Sequence, residues 1–190
     1  FLKIKSVSTF SGLGNLYLNN KALYKLIFKT ISILNSRNNF LIFHNEEDKL
    51  FFKKNFNFKS DNLSVINGSG IILKNKNIFK EYSNLNILSV MRPLKEKGMQ
   101  DYINLLNCFY DQPYDQINKI NFFLVTTINK KNMFYSEIIN LQKKKRITIV
   151  NGNKDFENYY QNCNVYLSLS KREGLSQSMI KSMHNSNLII

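Results

Sequence analysis

The chain has 190 residues, a net charge of +14 and 43% hydrophobic residues. That is long enough for one large domain, or one domain with part of another, and apolar enough for a packed core, which excludes wholesale disorder. No apolar run approaches the ~18–20 residues of a membrane-crossing helix, and no signal-peptide pattern opens the chain. Cys108 and Cys163 make neither a disulfide framework nor a metal site, so a reduced, cytoplasmic setting is expected.

The positive charge is a weak guide to partners. Asn (29), Lys (23), Ile (21), Phe (15) and Tyr (10) supply 98 of the residues, against four Arg, one Ala and no Trp. All five abundant types have A/T-rich codons, so drift of the gene accounts for much of the lysine. Surfaces built to bind phosphate favour the bidentate arginine fork, which is scarce here. A basic nucleic-acid-binding domain is the competing class. It has charge and aromatics in its favour, but no recognised motif, and its aromatics fall at core spacing. No nucleic-acid partner is expected.

In chain order, Phe1 to Val7 alternates apolar and polar and predicts a strand. Ser11 to Gly14 breaks it. Leu23, Leu26, Ile27, Ile31 and Leu34 predict a helix from Lys21, followed by a short apolar strand at Asn39 to Phe43. Asn45 followed by Glu46, Glu47 and Asp48 is a helix start, with a capping side chain and three carboxylates on the positive end of the dipole; that helix runs to about Asn55. Leu63 to Ile66 is a strand, then comes Asn67-Gly68-Ser69-Gly70, and Lys74 to Asn84 is polar and linker-like. From Leu85 the pattern is regular. Strands are predicted at 85–90, 121–128, 147–150, 165–169 and 188–190, with helices at 98–109, 134–142, 155–161 and 175–184 between them. Such alternation implies α/β architecture, a doubly wound parallel sheet with helices on both faces, preceded by the tail of a second α/β domain.

In that architecture ligands bind beyond the carboxyl ends of the strands, where three loops carry chemistry. Gly68, Ser69 and Gly70 follow a strand and offer backbone N–H groups to an anion, or else form a tight turn. Arg92 stands just past a strand, and Lys97 at the start of the next helix, where a cation opposes the dipole unless an anion neutralises it; a diphosphate would do so. Glu173 lies between a strand and a helix, beside the N–H groups of Gly174 and Leu175. It can cap the helix or accept hydrogen bonds from sugar hydroxyls. Amide nests, two cations and a carboxylate on one sheet edge point to an anionic, sugar-bearing ligand. His44 and His184 read as surface or packing residues.

The ordered set Phe43-His44-Asn45-Glu46-Glu47-Asp48, Asn67-Gly68-Ser69-Gly70, Arg92 with Lys97-Gly98, and Ser170-Lys171-Arg172-Glu173-Gly174-Leu175 resembles bacterial glycosyltransferases of family 4. These are the retaining type with two Rossmann-like domains, and the likeness is to the subgroup that builds surface polysaccharides and lipid-linked oligosaccharides. It runs from about Ser11 to Ile190.

The resemblance implies that Arg92 and Lys97 bind the diphosphate of a nucleotide-sugar, a UDP-sugar substrate, and stabilise the leaving group. Glu173 would contact the donor sugar, Gly174 and Leu175 would hold oxygens through their N–H groups, and Gly68, Ser69 and Gly70 would line the cleft. No cofactor and no metal are implied. The acceptor would be a saccharide or lipid-linked saccharide, and the enzyme a hexosyltransferase working in the cytoplasm or at the inner face of the membrane, with peripheral membrane association through an N-terminal domain.

The implied division is 1–50 as the end of the acceptor domain, 51–83 as the connection, and 84–190 as the donor-binding domain. Phe1 in place of Met and the apolar Leu188-Ile189-Ile190 lead to the expectation of a fragment, truncated at its C-terminus and not active alone. One position departs from the family. Where it has a second Glu that holds the ribose hydroxyls, this chain has Lys181, expected to face the nucleotide. An ammonium only donates, so a degenerate, inactive remnant is the alternative that this residue raises.

Overall fold

The computed structural model describes residues 5–14, 17, 20–35, 39–56, 58, 60–68, 70–72, 83–111, 119–153, 156–171 and 176–190. The chain divides into two compact units, the first ending at Gly70 and the second starting at Ile71. Among the described residues no helix is long and apolar enough to cross a membrane.

The first unit is a three-stranded parallel sheet in the order β1 (Ser6–Phe10), β2 (Asn39–Phe43), β3 (Leu63–Val65), with crossover helices α1 (Lys21–Asn35) and α2 (Glu46–Asn55). Local chemistry sets the helix starts. The Asn20 carboxamide accepts from the Leu23 N–H at 2.9 Å, and the Asn45 carboxamide from the Asp48 N–H at 2.7 Å. Leu41, Phe43 and Leu63 point to one face of the sheet, where they pack with Tyr24 of α1 and with Phe52 and Phe56 around the end of α2. On the opposite face Val7 and Phe40, which are register partners, are 68% and 50% exposed.

Two expectations shift here. The first strand lies at 6–10 rather than 1–7, because Phe10 pairs with Phe43 and carries its ring into the core; residues 1–4 lie outside the described ones. The first unit also extends past residue 50, since β3 pairs with β2 and so belongs to the first sheet. Most of the expected linker, 73–82, lies outside the described residues.

The second unit is a five-stranded, wholly parallel sheet in the order β6-β5-β4-β7-β8. The strands are β4 (Leu85–Val90), β5 (Ile120–Thr126), β6 (Thr148–Asn151), β7 (Val165–Tyr166) and β8 (Leu188–Ile189). The helices between them are α3 (Met99–Tyr110), α4 (Tyr135–Lys143), α5 (Glu157–Asn162) and α6 (Gln177–His184). Met99, Tyr102, Ile103 and Leu106 repeat at helical spacing and are buried, joined by Ile138 and Leu141 of α4 over one face of the sheet. Tyr160 of α5 and Met179 of α6 pack with Leu88, Val125 and Tyr166 on the other. The doubly wound parallel sheet expected from the alternation is thus present. The helix expected from 175 begins at Gln177, because the Ser176 hydroxyl caps it by accepting from the Met179 N–H at 3.3 Å.

Two buried tyrosines link this core to pH. Burial pushes the Tyr160 hydroxyl up to about 12, and raises that of Tyr102 as well. The folded state therefore keeps protons that the unfolded chain releases near pH 10, so this stability is fully present below about pH 10 and is lost as pH rises through about 12. In an alkaline titration followed by phenolate absorbance, Tyr102 and Tyr160 should ionise only together with the loss of helical circular dichroism. Ionisation of both while the helical signal is still intact would refute the link.

Candidate functional site

The strand order places a topological switch between β4 and β7. From β4 the chain winds outward through β5 and β6, then α5 carries it back to β7 on the other side. Crevices of this kind, outside the carboxyl ends of the strands, are where doubly wound sheets bind ligands. Here the crevice lies between the segments that follow β4 (91–98) and β7 (167–171).

Those segments are locked together. The Leu167 N–H donates to the Leu88 carbonyl at 2.9 Å, and the Lys171 N–H donates to the Glu96 carbonyl at 3.1 Å. Gly98 has φ 78° and lies so close to Leu169 that a Cβ on it would collide with the Leu169 carbonyl. Only glycine permits both the left-handed turn and that approach. Beneath the lock, the Ser89 hydroxyl donates to the Leu167 carbonyl at 3.0 Å.

Arg92 stands two residues past β4, exposed on this edge, and its guanidinium makes no ion pair or hydrogen bond among the described residues. Lys97 is half-buried in the same segment. It closes a single 3-10 turn, Lys95–Lys97, ahead of the left-handed Gly98, and α3 starts only at Met99. The expectation that Lys97 opens the helix is corrected by that glycine, which interposes a turn. Lys171 is engaged elsewhere, its ammonium 3.5 Å from Asp101 of α3.

Arg92 and Lys97 therefore both stand on the 91–98 segment that borders the switch. Glu173, Gly174 and Leu175 follow Lys171 but lie outside the described residues, as does Ser69. Gly68 and Gly70 follow β3 in the first unit, both with φ 70°, and the Gly68 N–H donates to the Ile66 carbonyl at 2.6 Å in a tight turn. Lys181 lies in the second turn of α6, where its ammonium pairs with Glu157 of α5 and sits 5.8 Å from the centre of the Tyr160 ring. A Lys181→Glu change would set two carboxylates against each other. Sequence reasoning did not single out Glu157, whose partner is 24 residues away.

No protein-family model matches the sequence, and no curated protein matches it. Solved structures do. S. aureus TarM in complex with Fondaparinux, alpha-GlcNAc-glycerol and UDP aligns with a TM-score of 0.71 at 13% identity, over 97% of this chain and 36% of TarM. Sucrose-phosphate synthase from Thermosynechococcus elongatus aligns with a TM-score of 0.69 at 17% identity, over 96% of this chain and 49% of the synthase. The pneumococcal O-GlcNAc transferase GtfA, in complex with UDP and GlcNAc, aligns at 0.62 and 14%, over 87% of this chain and 31% of GtfA. The chain thus spans less than half the length of each. At these identities the likeness is one of fold, and the fold is that of the Rossmann-like domains of GT-B-type glycosyltransferases.

Proposed function

We propose that the chain is the donor-binding part of a retaining glycosyltransferase. It would move a hexosyl unit from a UDP-sugar to a saccharide or lipid-linked saccharide of surface-polysaccharide assembly, at the cytoplasmic side of a membrane. The observation that carries this reading is the exposed Arg92 guanidinium, without an ionic partner among the described residues, at the switch point of a doubly wound sheet. The complexes of TarM and GtfA with UDP agree with it.

In the reaction, the bond between the sugar's anomeric carbon and the diphosphate oxygen breaks as a bond to an acceptor hydroxyl oxygen forms, and the proton of that hydroxyl passes to the departing diphosphate. Negative charge grows on the departing diphosphate. Cations fixed before the reaction stabilise that charge without reorganising, so Arg92 and Lys97 take this task themselves, with no metal ion assigned to it. Glu173 would orient the donor sugar, and the N–H groups of Gly174 and Leu175 would hold its oxygens. The first unit would be the end of the acceptor domain, and Gly68, Ser69 and Gly70 would offer backbone N–H groups to the donor.

Calorimetry with UDP tests this. The chain should bind UDP, and Arg92→Ala should weaken binding about 10- to 100-fold, the loss of one or two charge-assisted hydrogen bonds. Equal affinity in the variant would remove Arg92 from the site, and no binding to the unaltered chain would sink the reading.

A further inference from the structure

We propose that Asn132 is a positioning residue for Arg92, fixing the backbone from which the guanidinium meets the diphosphate; this rests on the donor-site reading above. A cation lowers the barrier only if it is in place before the charge develops. Arg92 is exposed and its guanidinium makes no bond among the described residues, so its placement depends on its backbone. On one side of it, the Met91 N–H continues the ladder to β5 by donating to the Val125 carbonyl at 3.1 Å. On the other side stands Pro93, which is buried. Its ring fixes its own φ and restricts the residue before it to extended backbone. Proline has no N–H, so the Pro93 carbonyl is the one main-chain group there that needs a partner. It accepts from Nδ2 of Asn132, 39 residues away, at 3.0 Å.

Asn132 is itself held firmly. Its N–H donates to the Asn129 carbonyl at 3.0 Å, and its carbonyl accepts from the Tyr135 N–H at 3.1 Å. Its Oδ1 accepts from the N–H of Phe134, a buried residue at the start of α4, at 2.9 Å. Starting a helix needs only that oxygen, which a serine or an aspartate supplies as well. The donor half of the carboxamide has no part in that turn; it is spent on the segment that carries Arg92. The 91–98 segment is thus fixed from both sides of the switch. The Lys171 N–H holds Glu96 from the β7 side, and Asn132 holds Pro93 from the β5 side, one residue from the guanidinium's own backbone. Without Asn132 the cation is still present, but it is spread over more positions and contributes less to holding the diphosphate.

The experiment is a double-mutant cycle, read by calorimetry with UDP on the unaltered chain, Asn132→Ala, Arg92→Ala and the double variant. Asn132→Ala should weaken UDP binding about three- to tenfold, the size of one lost hydrogen bond. In the Arg92→Ala background the same substitution should change affinity less than about twofold, because the backbone it secures no longer carries a cation. A general structural role predicts the same loss in both backgrounds, since independent effects add. Asn132→Ser leaves an oxygen for the Phe134 N–H but is too short to reach the Pro93 carbonyl. It should show the same dependence on Arg92, which carries the test should the alanine variant not fold. Undiminished affinity in both Asn132 variants overturns the proposal, as do equal losses with and without Arg92. Failure of the unaltered chain to bind UDP at all overturns the donor-site reading, and this assignment with it.

Discussion

Replacing Phe52 by alanine is expected to remove about 3–5 kcal/mol from the first unit, enough to unfold it. The Phe52 side chain is fully buried, and its ring centre lies 4.9 Å from those of Phe10 and Phe43, 5.0 Å from Phe56 and 5.1 Å from Phe28. It therefore ties β1, β2, α1 and the end of α2 through one side chain. Alanine would leave a cavity whose walls come from four elements, which limits collapse, and would also lose the edge-to-face ring contacts. Amide hydrogen exchange is the suitable measurement. Protection should vanish across Ser6–Val65 and persist across Leu85–Ile189. Uniform loss in both segments would show that the two units unfold as one, and a change below about 1 kcal/mol would show that the remaining rings fill the space.

The second large effect belongs to Gly98→Ala. A non-glycine residue in the left-handed region costs about 1–2 kcal/mol, and forcing a methyl into a packed place about 1–3 more. Here the obstacle is the backbone of Leu169 and not the end of a flexible side chain, so the upper part of that range applies. We expect a loss of about 3 kcal/mol or more, read as a lower urea midpoint at unchanged slope. The variant should also bind UDP less well, because relief of the collision separates the segments that carry Arg92 and Lys171. A loss below about 1 kcal/mol would show that 91–98 moves independently of 167–171.

What could be read from the sequence follows from the range of each interaction. The alternation from Leu85 onward was legible because each element carries its own pattern. The four apolar residues of α3 repeat along one stripe, and β4 and β5 are nearly continuous apolar runs. The start of α2 was equally plain, since Asn45 and its partner Asp48 are three residues apart. The first strand was misplaced because alternation at Phe1 to Val7 competes with an anchor, Phe10 against Phe43, that only the fold brings together. Long-range pairing also hid the membership of β3 in the first sheet. At the site, Arg92 and Lys97 could be named from their places beside a strand. The collision that makes Gly98 indispensable involves a residue 71 positions away, and the pairing of Lys181 with Glu157 joins two helices. Neither leaves a mark in local spacing.

The outward face of the first sheet governs how the chain behaves as a colloid. Wholly parallel sheets are normally covered on both faces, yet Val7 and Phe40 stand open to water on this one. A net charge of +14 keeps copies apart at long range. Salt shortens that repulsion, from a reach of about 8 Å at physiological ionic strength to about 3 Å at 1 M, and does not weaken apolar attraction, which kosmotropic salts strengthen. Purification in concentrated salt, the usual remedy for a sticky basic protein, removes the force that keeps this one dispersed.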